Sequence, residues 1–151
     1  MLREQINGTL KEAMKAKDSN TVGTLRLIMA ALKDRDIAAR STGNCDGIPE
    51  EDILGLLQSM IKQRRDSIEM YSQGGRPELA DAEQAEIVII EQFLPKQMDD
   101  DEIAAAVDAA IAKCDAGCIK DMGKVMGTLK ETHAGQMDFG KASQVVKTKL
   151  G

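Results

Sequence analysis

The chain has 151 residues, of which 42% are apolar and 30% charged, and its formal net charge is −5. This length allows one domain or two small ones, and the apolar fraction is enough to build a core. Alanine, leucine, methionine, lysine and glutamate are abundant, which favours helix, and no alternating β-branched run predicts a strand. The net acidity excludes a globally basic nucleic-acid-binding protein, so RNA binding would need a local basic patch.

The first two predicted helices cover about 2–17 and 20–41, where apolar residues recur at helical spacing. Between them, Asp18-Ser19-Asn20 offers side chains that cap helix N-termini. The following stretch, 41–47, is rich in Ser, Asn and Gly and is predicted to be a loop. A third helix then begins after Pro49, with acidic residues in its first turn, where the helix dipole favours negative charge.

Residues 53–95 are predicted to form an antiparallel hairpin of two helices. Gly74 and Gly75 suit the end of the first helix, and Pro77 suits the first turn of the second. Pro95 ends the second helix, because the residue before a proline avoids helical geometry. The predicted apolar faces are Ile53, Leu57, Met60, Ile61, Ile68 and Tyr71 on one helix, and Leu79, Ala82, Ile87, Ile90 and Leu94 on the other.

Charged residues lie on these two apolar faces. Arg64 is in the middle of the first face, and Glu83 and Glu86 are on the second. Folding the hairpin about Gly75 places Arg64 level with Glu86, with Glu83 one turn away. An arginine in an apolar interface must be paired, since its desolvation is costly. We therefore expect an Arg64 ion pair with Glu86 or Glu83 that fixes the helix register; the alternative is an arginine held rigid for an anionic partner.

A separate unit is predicted after Pro95. Asp99 and Glu102 have the spacing of a capping box at the start of a helix. After a turn around Gly117, Asp121 and Asp138 are expected to cap two further short helices. The sequence therefore predicts an all-α protein with a four-helix domain over 1–95, containing the long hairpin, and a small three-helix domain over 96–151.

The last third of the chain is the best candidate for RNA contact. Residues 119–151 contain six lysines and three acidic residues. Within it, Gly123-Lys124-Val125-Met126-Gly127 lacks the spacer and ending of a phosphate-binding loop. We interpret its glycines as a small-residue face that allows close helix approach; alternatively, Gly123 and Lys124 contact a phosphate at a helix N-terminus. The candidate RNA-contacting residues are Lys120, Lys124, Lys130, Lys141, Lys147 and Lys149.

No residues have the spacing of a catalytic, cofactor or metal site. His133 is the one histidine, has no nucleophile or orienting acid at a suitable spacing, and is expected at the surface. The cysteines are Cys45, Cys114 and Cys118. An odd number of cysteines and no apolar leader predict reduced thiols and a cytoplasmic location, without metal or membrane binding. These features indicate a binding or accessory module.

Several short motifs, taken in order, resemble the GatB/YqeY family over nearly the whole chain. The matching stretches are Thr24-Leu25-Arg26, the segment 63–69 (QRRDSIE), Gly75-Arg76-Pro77-Glu78-Leu79, Glu83-Gln84-Ala85-Glu86-Ile87, Phe93-Leu94-Pro95, the segment 120–126 (KDMGKVM), Gly135-Gln136-Met137-Asp138 and Val146-Lys147. Two departures are Phe93, where the family pattern leads us to expect tyrosine, and the 43–47 loop, which does not align.

The resemblance implies an all-helical protein related to the tail of the B subunit of the glutamine-dependent amidotransferase that acts on misacylated tRNA. In that enzyme the tail is the tRNA-engaging part, and the chemistry belongs to another domain. The family-level association is carbon–nitrogen ligase activity with glutamine as amido-N-donor, and the implied partners are tRNA and proteins of the amidotransferase or aminoacylation machinery. The alternative is a protein–protein adaptor with no RNA role.

Overall fold

A computed structural model describes all 151 residues and contains seven α-helices, one short 3-10 helix and no β-strand. The all-helical class is thereby confirmed. The chain separates into two compact units, Met1–Leu94 and Pro95–Gly151. In chain order the helices are α1 (Leu2–Lys15), α2 (Ser19–Arg40), α3 (Glu50–Gln73), α4 (Pro77–Glu91), α5 (Asp100–Cys114), the 3-10 helix (Ile119–Asp121), α6 (Met122–Thr132) and α7 (Phe139–Leu150).

The N-terminal unit has one aliphatic core, to which α1, α2, α3 and α4 all contribute. α3 packs on α4, and α2 packs on both α1 and α4. Each helix buries residues spaced three or four apart, because that spacing returns to the same helix face. The fully buried side chains of this core are Ile6, Leu25, Ile28, Ile53, Leu57, Ile87 and Ile90.

The turn between α3 and α4 lies at Gly74 and Gly75, as the sequence predicts. Gly75 has a φ of +69°, which glycine adopts without a steric penalty, and Pro77 occupies the first turn of α4. The predicted inner face of α4 is wrong at its start: Ala80 is buried, whereas Leu79 and Ala82 are exposed. Ala82 is rotated about 160° around the helix from Ala80, so it points away from the core.

The C-terminal unit has its own core, built by α5, α6 and α7. The capping box of α5 is present: the Asp99 carboxylate accepts from the Glu102 N–H at 2.8 Å, and Glu102 accepts from the Asp99 N–H at 2.9 Å. Asp138 caps α7 by accepting from the Gly140 N–H at 2.8 Å. The fully buried side chains are Val107, Val125, Leu129, Met137 and Val146.

Asp121 does not cap α6, contrary to the prediction. The chain enters α6 through the 3-10 helix Ile119–Asp121, and the Asp121 side chain makes no capping bond to α6. Its carboxylate instead turns back and accepts from the Gly117 N–H at 3.1 Å.

None of the helices in the chain combines the length and apolar character that crossing a bilayer requires.

Candidate nucleic-acid interface

The six candidate lysines occupy three neighbouring elements of the C-terminal unit. Lys120 is on the 3-10 helix, Lys124 and Lys130 are on α6, and the other three are on α7. All six residues are exposed to solvent. Exposure keeps an ammonium group hydrated and available, which is the condition for contact with an RNA phosphate.

Two of the six lysines form ion pairs within the unit. Lys141 Nζ lies 3.7 Å from Asp100 Oδ1, and Lys149 Nζ donates to Asp108 Oδ1. Both acids are on α5, so the pairs bridge α7 to α5. The charge count over 119–151 missed them because Asp100 and Asp108 precede that window. Phosphate contact by these two lysines would compete with a carboxylate.

The remaining four lysines, Lys120, Lys124, Lys130 and Lys147, form no ion pair. On α6 the buried Val125 and Leu129 face the core. At 100° per residue, Lys124 and Lys130 lie on the outer surface of the helix, about 120° apart. They therefore flank an outward face instead of forming a single row.

Gly123 and Gly127 lie on α6 between these two lysines. Both glycines are exposed, and a Cβ placed on either would meet no atom within 4 Å. The interpretation that they allow close packing of another helix of this chain is therefore wrong. Exposed glycine inside a helix costs about 1 kcal/mol relative to alanine. Because these two positions have no side chain, the backbone of α6 is exposed to solvent between Lys124 and Lys130.

Asp121 lies next to the start of this face. Its pKa is lowered chiefly by the hydrogen bond from the Gly117 N–H, with further contributions from the Cys118 N–H and thiol and from the charge of Lys124. The carboxylate is therefore ionised at neutral pH and lies close enough to Lys124 to offset part of its charge. This weakens the alternative in which Gly123 and Lys124 hold a phosphate at the N-terminus of α6.

Arg64 lies in the N-terminal unit, inside the α3–α4 hairpin. Its Nε donates to Glu86 Oε2 at 2.8 Å and its Nη1 donates to the Met60 carbonyl at 3.1 Å. The Arg64 side chain is 12% exposed and that of Glu86 is 33% exposed. Glu83 is half-buried and forms no ion pair with Arg64. The guanidinium is thus engaged by its own hairpin, as the structural interpretation expects.

A second ion-pair network in the N-terminal unit has no counterpart in the sequence patterns. The two Arg3 Nη atoms each donate to an Asp36 oxygen at 2.7 Å, and the Ile48 N–H donates to Asp36 Oδ1 at 2.9 Å. Arg3 Nη2 also donates to the Ile48 carbonyl at 3.1 Å. The Arg3 hydrogen bonds are the main cause of a lowered Asp36 pKa, about 2. This network fastens α1, α2 and the following loop together.

Gly47 lies against this network. Its φ is +98°, and a Cβ there would lie 2.7 Å from Arg3 Nη2 and 3.0 Å from Asp36 Oδ1. Glycine is the residue that satisfies both the backbone conformation and the close approach. The 41–47 loop, which was predicted from its composition alone, therefore places its last residue against the Arg3–Asp36 ion pair.

The histidine and the cysteines form no recognisable reactive cluster. His133 follows the end of α6 and is half-buried, so the expected surface position is only partly met. All three thiols are free, and Cys114 Sγ lies 3.1 Å from the Thr128 hydroxyl. Nowhere in the chain do three or more His, Cys, Asp or Glu side chains come together as metal ligands.

Comparison with protein families gives a match to the model described as Yqey-like protein, over residues 3–150. The chain belongs to the YqeY-like family. The resemblance read from the short motifs is thereby confirmed at family level, and the match covers both compact units of this YqeY-like chain.

Curated relatives of the YqeY-like chain carry the name "Altered inheritance of mitochondria protein 41, mitochondrial". Identity is 34% over 85 residues with the protein of Vanderwaltozyma polyspora, covering 56% of this chain and 44% of the relative. It is 34% over 85 residues with that of Lachancea thermotolerans, covering 56% and 43%. With that of Eremothecium gossypii it is 33% over 102 residues, covering 66% and 54%. The matched region thus spans about half the length of these relatives.

These names contradict the cytoplasmic location expected from the sequence, because the relatives are named as mitochondrial proteins. That expectation is withdrawn. It rested on the odd number of cysteines and on the composition of the first residues. They do not distinguish one reducing compartment from another.

Proposed function

We propose that this YqeY-like protein is a tRNA-binding accessory module, in which the C-terminal unit contacts the phosphate backbone. The observation that carries the proposal is the group of exposed lysines without ion pairs: Lys120, Lys124, Lys130 and Lys147. The family resemblance to an amidotransferase tail favours tRNA as the nucleic acid. Proteins of the amidotransferase or aminoacylation machinery are the corresponding protein partners.

The charge balance favours the C-terminal unit over the N-terminal unit as the place of RNA contact, but it limits the strength of that contact. Residues 1–94 contain 12 basic and 16 acidic residues, and residues 95–151 contain 8 and 9. Neither unit is basic as a whole, so long-range steering of RNA is weak and binding depends on the local lysines. Lysine contacts to phosphate carry no sequence information, so recognition follows RNA shape. We expect weak, salt-sensitive binding of folded tRNA.

A titration of fluorescent tRNA at low and moderate salt, with a duplex RNA as control, tests the proposal. Replacing Lys124 and Lys130 with glutamine should weaken tRNA binding by a similar factor whatever the RNA sequence. It should also make the slope of log K against log salt shallower by about one for each lysine that contacts a phosphate. The matched control is Lys141→Gln with Lys149→Gln, which removes the same charge from ion-paired positions. It should change the slope less than the first pair does.

Two outcomes decide against this function. Absence of tRNA binding at low salt, or equal binding after both Lys124 and Lys130 are replaced, favours the alternative of a protein–protein adaptor. We further propose that the chain is an accessory to carbon–nitrogen ligation and does not itself transfer the amide. Glutamine- and ATP-dependent amidation of misacylated tRNA by the purified chain would overturn that part.

A further inference from the structure

Helix α2 exposes an apolar row on the side opposite its core residues. Leu25, Ile28 and Leu32 are buried, whereas Leu27 is 50% exposed and Ile37 is 49% exposed. The exposed row advances in alternating steps of four and three residues, the spacing that keeps a helix seam facing a partner helix in a coiled coil. We name this row the α2 seam: Gly23, Leu27, Ala30, Asp34 and Ile37.

A basic edge runs along one side of the α2 seam. Arg26, Lys33 and Arg40 are seven residues apart, so they lie nearly in line, and all three are exposed. None of them forms an ion pair. The opposite edge carries Ala31 and Ala38 and no charge. Of the three basic residues, Arg40 lies near enough to Asp36 for its charge to help lower the pKa of that carboxyl. The row is cationic although the unit has four more acidic than basic residues.

We propose that the α2 seam and its basic edge dock an amphipathic helix of a partner protein, whose flank facing Arg26, Lys33 and Arg40 is acidic. Apolar side chains of that helix would cover Leu27 and Ile37, and its carboxylates would meet the basic edge. Charged positions beside such a seam set partner choice and orientation. The site lies in the N-terminal unit and is independent of the proposed RNA contact.

Two other occupants fit less well. RNA phosphates would neutralise Arg26, Lys33 and Arg40 but would leave Leu27 and Ile37 in water. A second copy of the chain paired antiparallel through α2 would bring each basic edge against itself, and a parallel pair about a two-fold axis along the seam would bring Asp34 against its own copy. Such like-charge contact is repulsive, and the favoured occupant therefore carries the opposite charge.

Asp34 adds a requirement for the partner. It occupies a seam position and forms no ion pair in the chain. A polar residue at one seam position fixes helix register at some expense of stability. The partner helix is therefore expected to place a lysine or arginine opposite Asp34, in the middle of an otherwise apolar face.

Designed peptides test this inference with the full-length protein. The first probe is a synthetic helix of about three heptads with a leucine seam, one central seam lysine and a glutamate flank. The second probe carries lysine in that flank instead of glutamate. Fluorescence anisotropy should show about tenfold tighter binding of the glutamate peptide at low salt. Replacing both Leu27 and Ile37 with aspartate should abolish that binding.

A charge swap separates docking from loss of folding. Reversing Arg26, Lys33 and Arg40 together to glutamate should make the protein prefer the lysine peptide, a gain that an unfolded chain cannot produce. The matched control reverses three other exposed lysines of the N-terminal unit, Lys11, Lys17 and Lys62, and should retain the original preference.

Three results would overturn the assignment. One is equal binding of the two peptides by the unmodified protein. A second is a dimer in solution that becomes monomeric when Leu27 and Ile37 are replaced, which would assign the seam to a second copy. A third is tRNA binding that is lost on reversal of the basic edge but unaffected by the Leu27 and Ile37 substitutions, which would assign the edge to RNA.

Discussion

The Arg3–Asp36 network gives the sharpest stability prediction. Asp36→Asn keeps the shape of the side chain but removes its charge and replaces one acceptor oxygen with an NH2 group. With the amide oxygen in place of Oδ1, Arg3 Nη2 keeps its acceptor and Arg3 Nη1 loses the 2.7 Å bond to Oδ2. The Ile48 N–H, which donates to Asp36 Oδ1, retains an oxygen acceptor in the variant. The substitution therefore removes the charge and one of the two Arg3 hydrogen bonds from the contact that joins α1, α2 and the loop.

The expected magnitude follows from the pKa of Asp36, which falls from an ordinary 3.8 to about 2. A displacement of this size corresponds to about 2 kcal/mol of stability at neutral pH. The Asp36 side chain is 22% exposed and the Arg3 side chain 36% exposed, so water screens part of the interaction. We expect Asp36→Asn to reduce the free energy of unfolding of the N-terminal unit by about 1–2 kcal/mol.

The same linkage predicts a pH dependence. Because the folded pKa of Asp36 lies below its unfolded value, the stabilisation is fully present above about pH 4 and is lost as the pH falls toward 2. The difference between the parent protein and Asp36→Asn should therefore be constant near neutral pH. It should shrink progressively once the solution is more acidic than about pH 4.

Urea denaturation followed by circular dichroism, repeated from neutral to acidic pH, measures this difference. Asp34→Asn is the matched control, since it removes the same charge from the same helix at a residue with no ion pair. A loss of stability as large in the control as in Asp36→Asn would refute the reasoning. So would a difference between Asp36→Asn and the parent that persists undiminished near pH 2.

Two further predictions concern the hairpin and the division of the chain. Glu86→Ala leaves a nearly buried arginine without its carboxylate and should lower the free energy of unfolding by about 2–3 kcal/mol. Arg64→Met leaves a more exposed carboxylate and should lower it by about 1 kcal/mol or less. Urea denaturation measures both values, and equal losses would contradict this asymmetry. The division into domains 1–95 and 96–151 remains a prediction, which limited proteolysis tests: the first cut should fall near 95–99 and not within 60–90. First cleavage inside the hairpin would count against separate domains.

Local chemistry in the sequence determined the helices and where most of them begin, with the start of α6 as the exception. Asp18, Asp99 and Asp138 cap helices as expected, because an N-cap side chain bonds to backbone N–H groups two or three residues away. Gly75 and Pro77 likewise mark the hairpin turn. The sequence also predicted that Arg64 and Glu86 lie opposite each other, since a tight turn fixes the register of two antiparallel helices.

Only the tertiary structure decided which charges remain available. Asp36 is 33 residues from Arg3, and no periodic pattern connects residues on different helices. For the same reason, the charge count could not distinguish Lys149, which is paired across to Asp108, from Lys147, which is not. Helical periodicity gives the face on which a side chain lies, but its partner depends on how the helices pack, and within each unit that packing is set by the unit's own core.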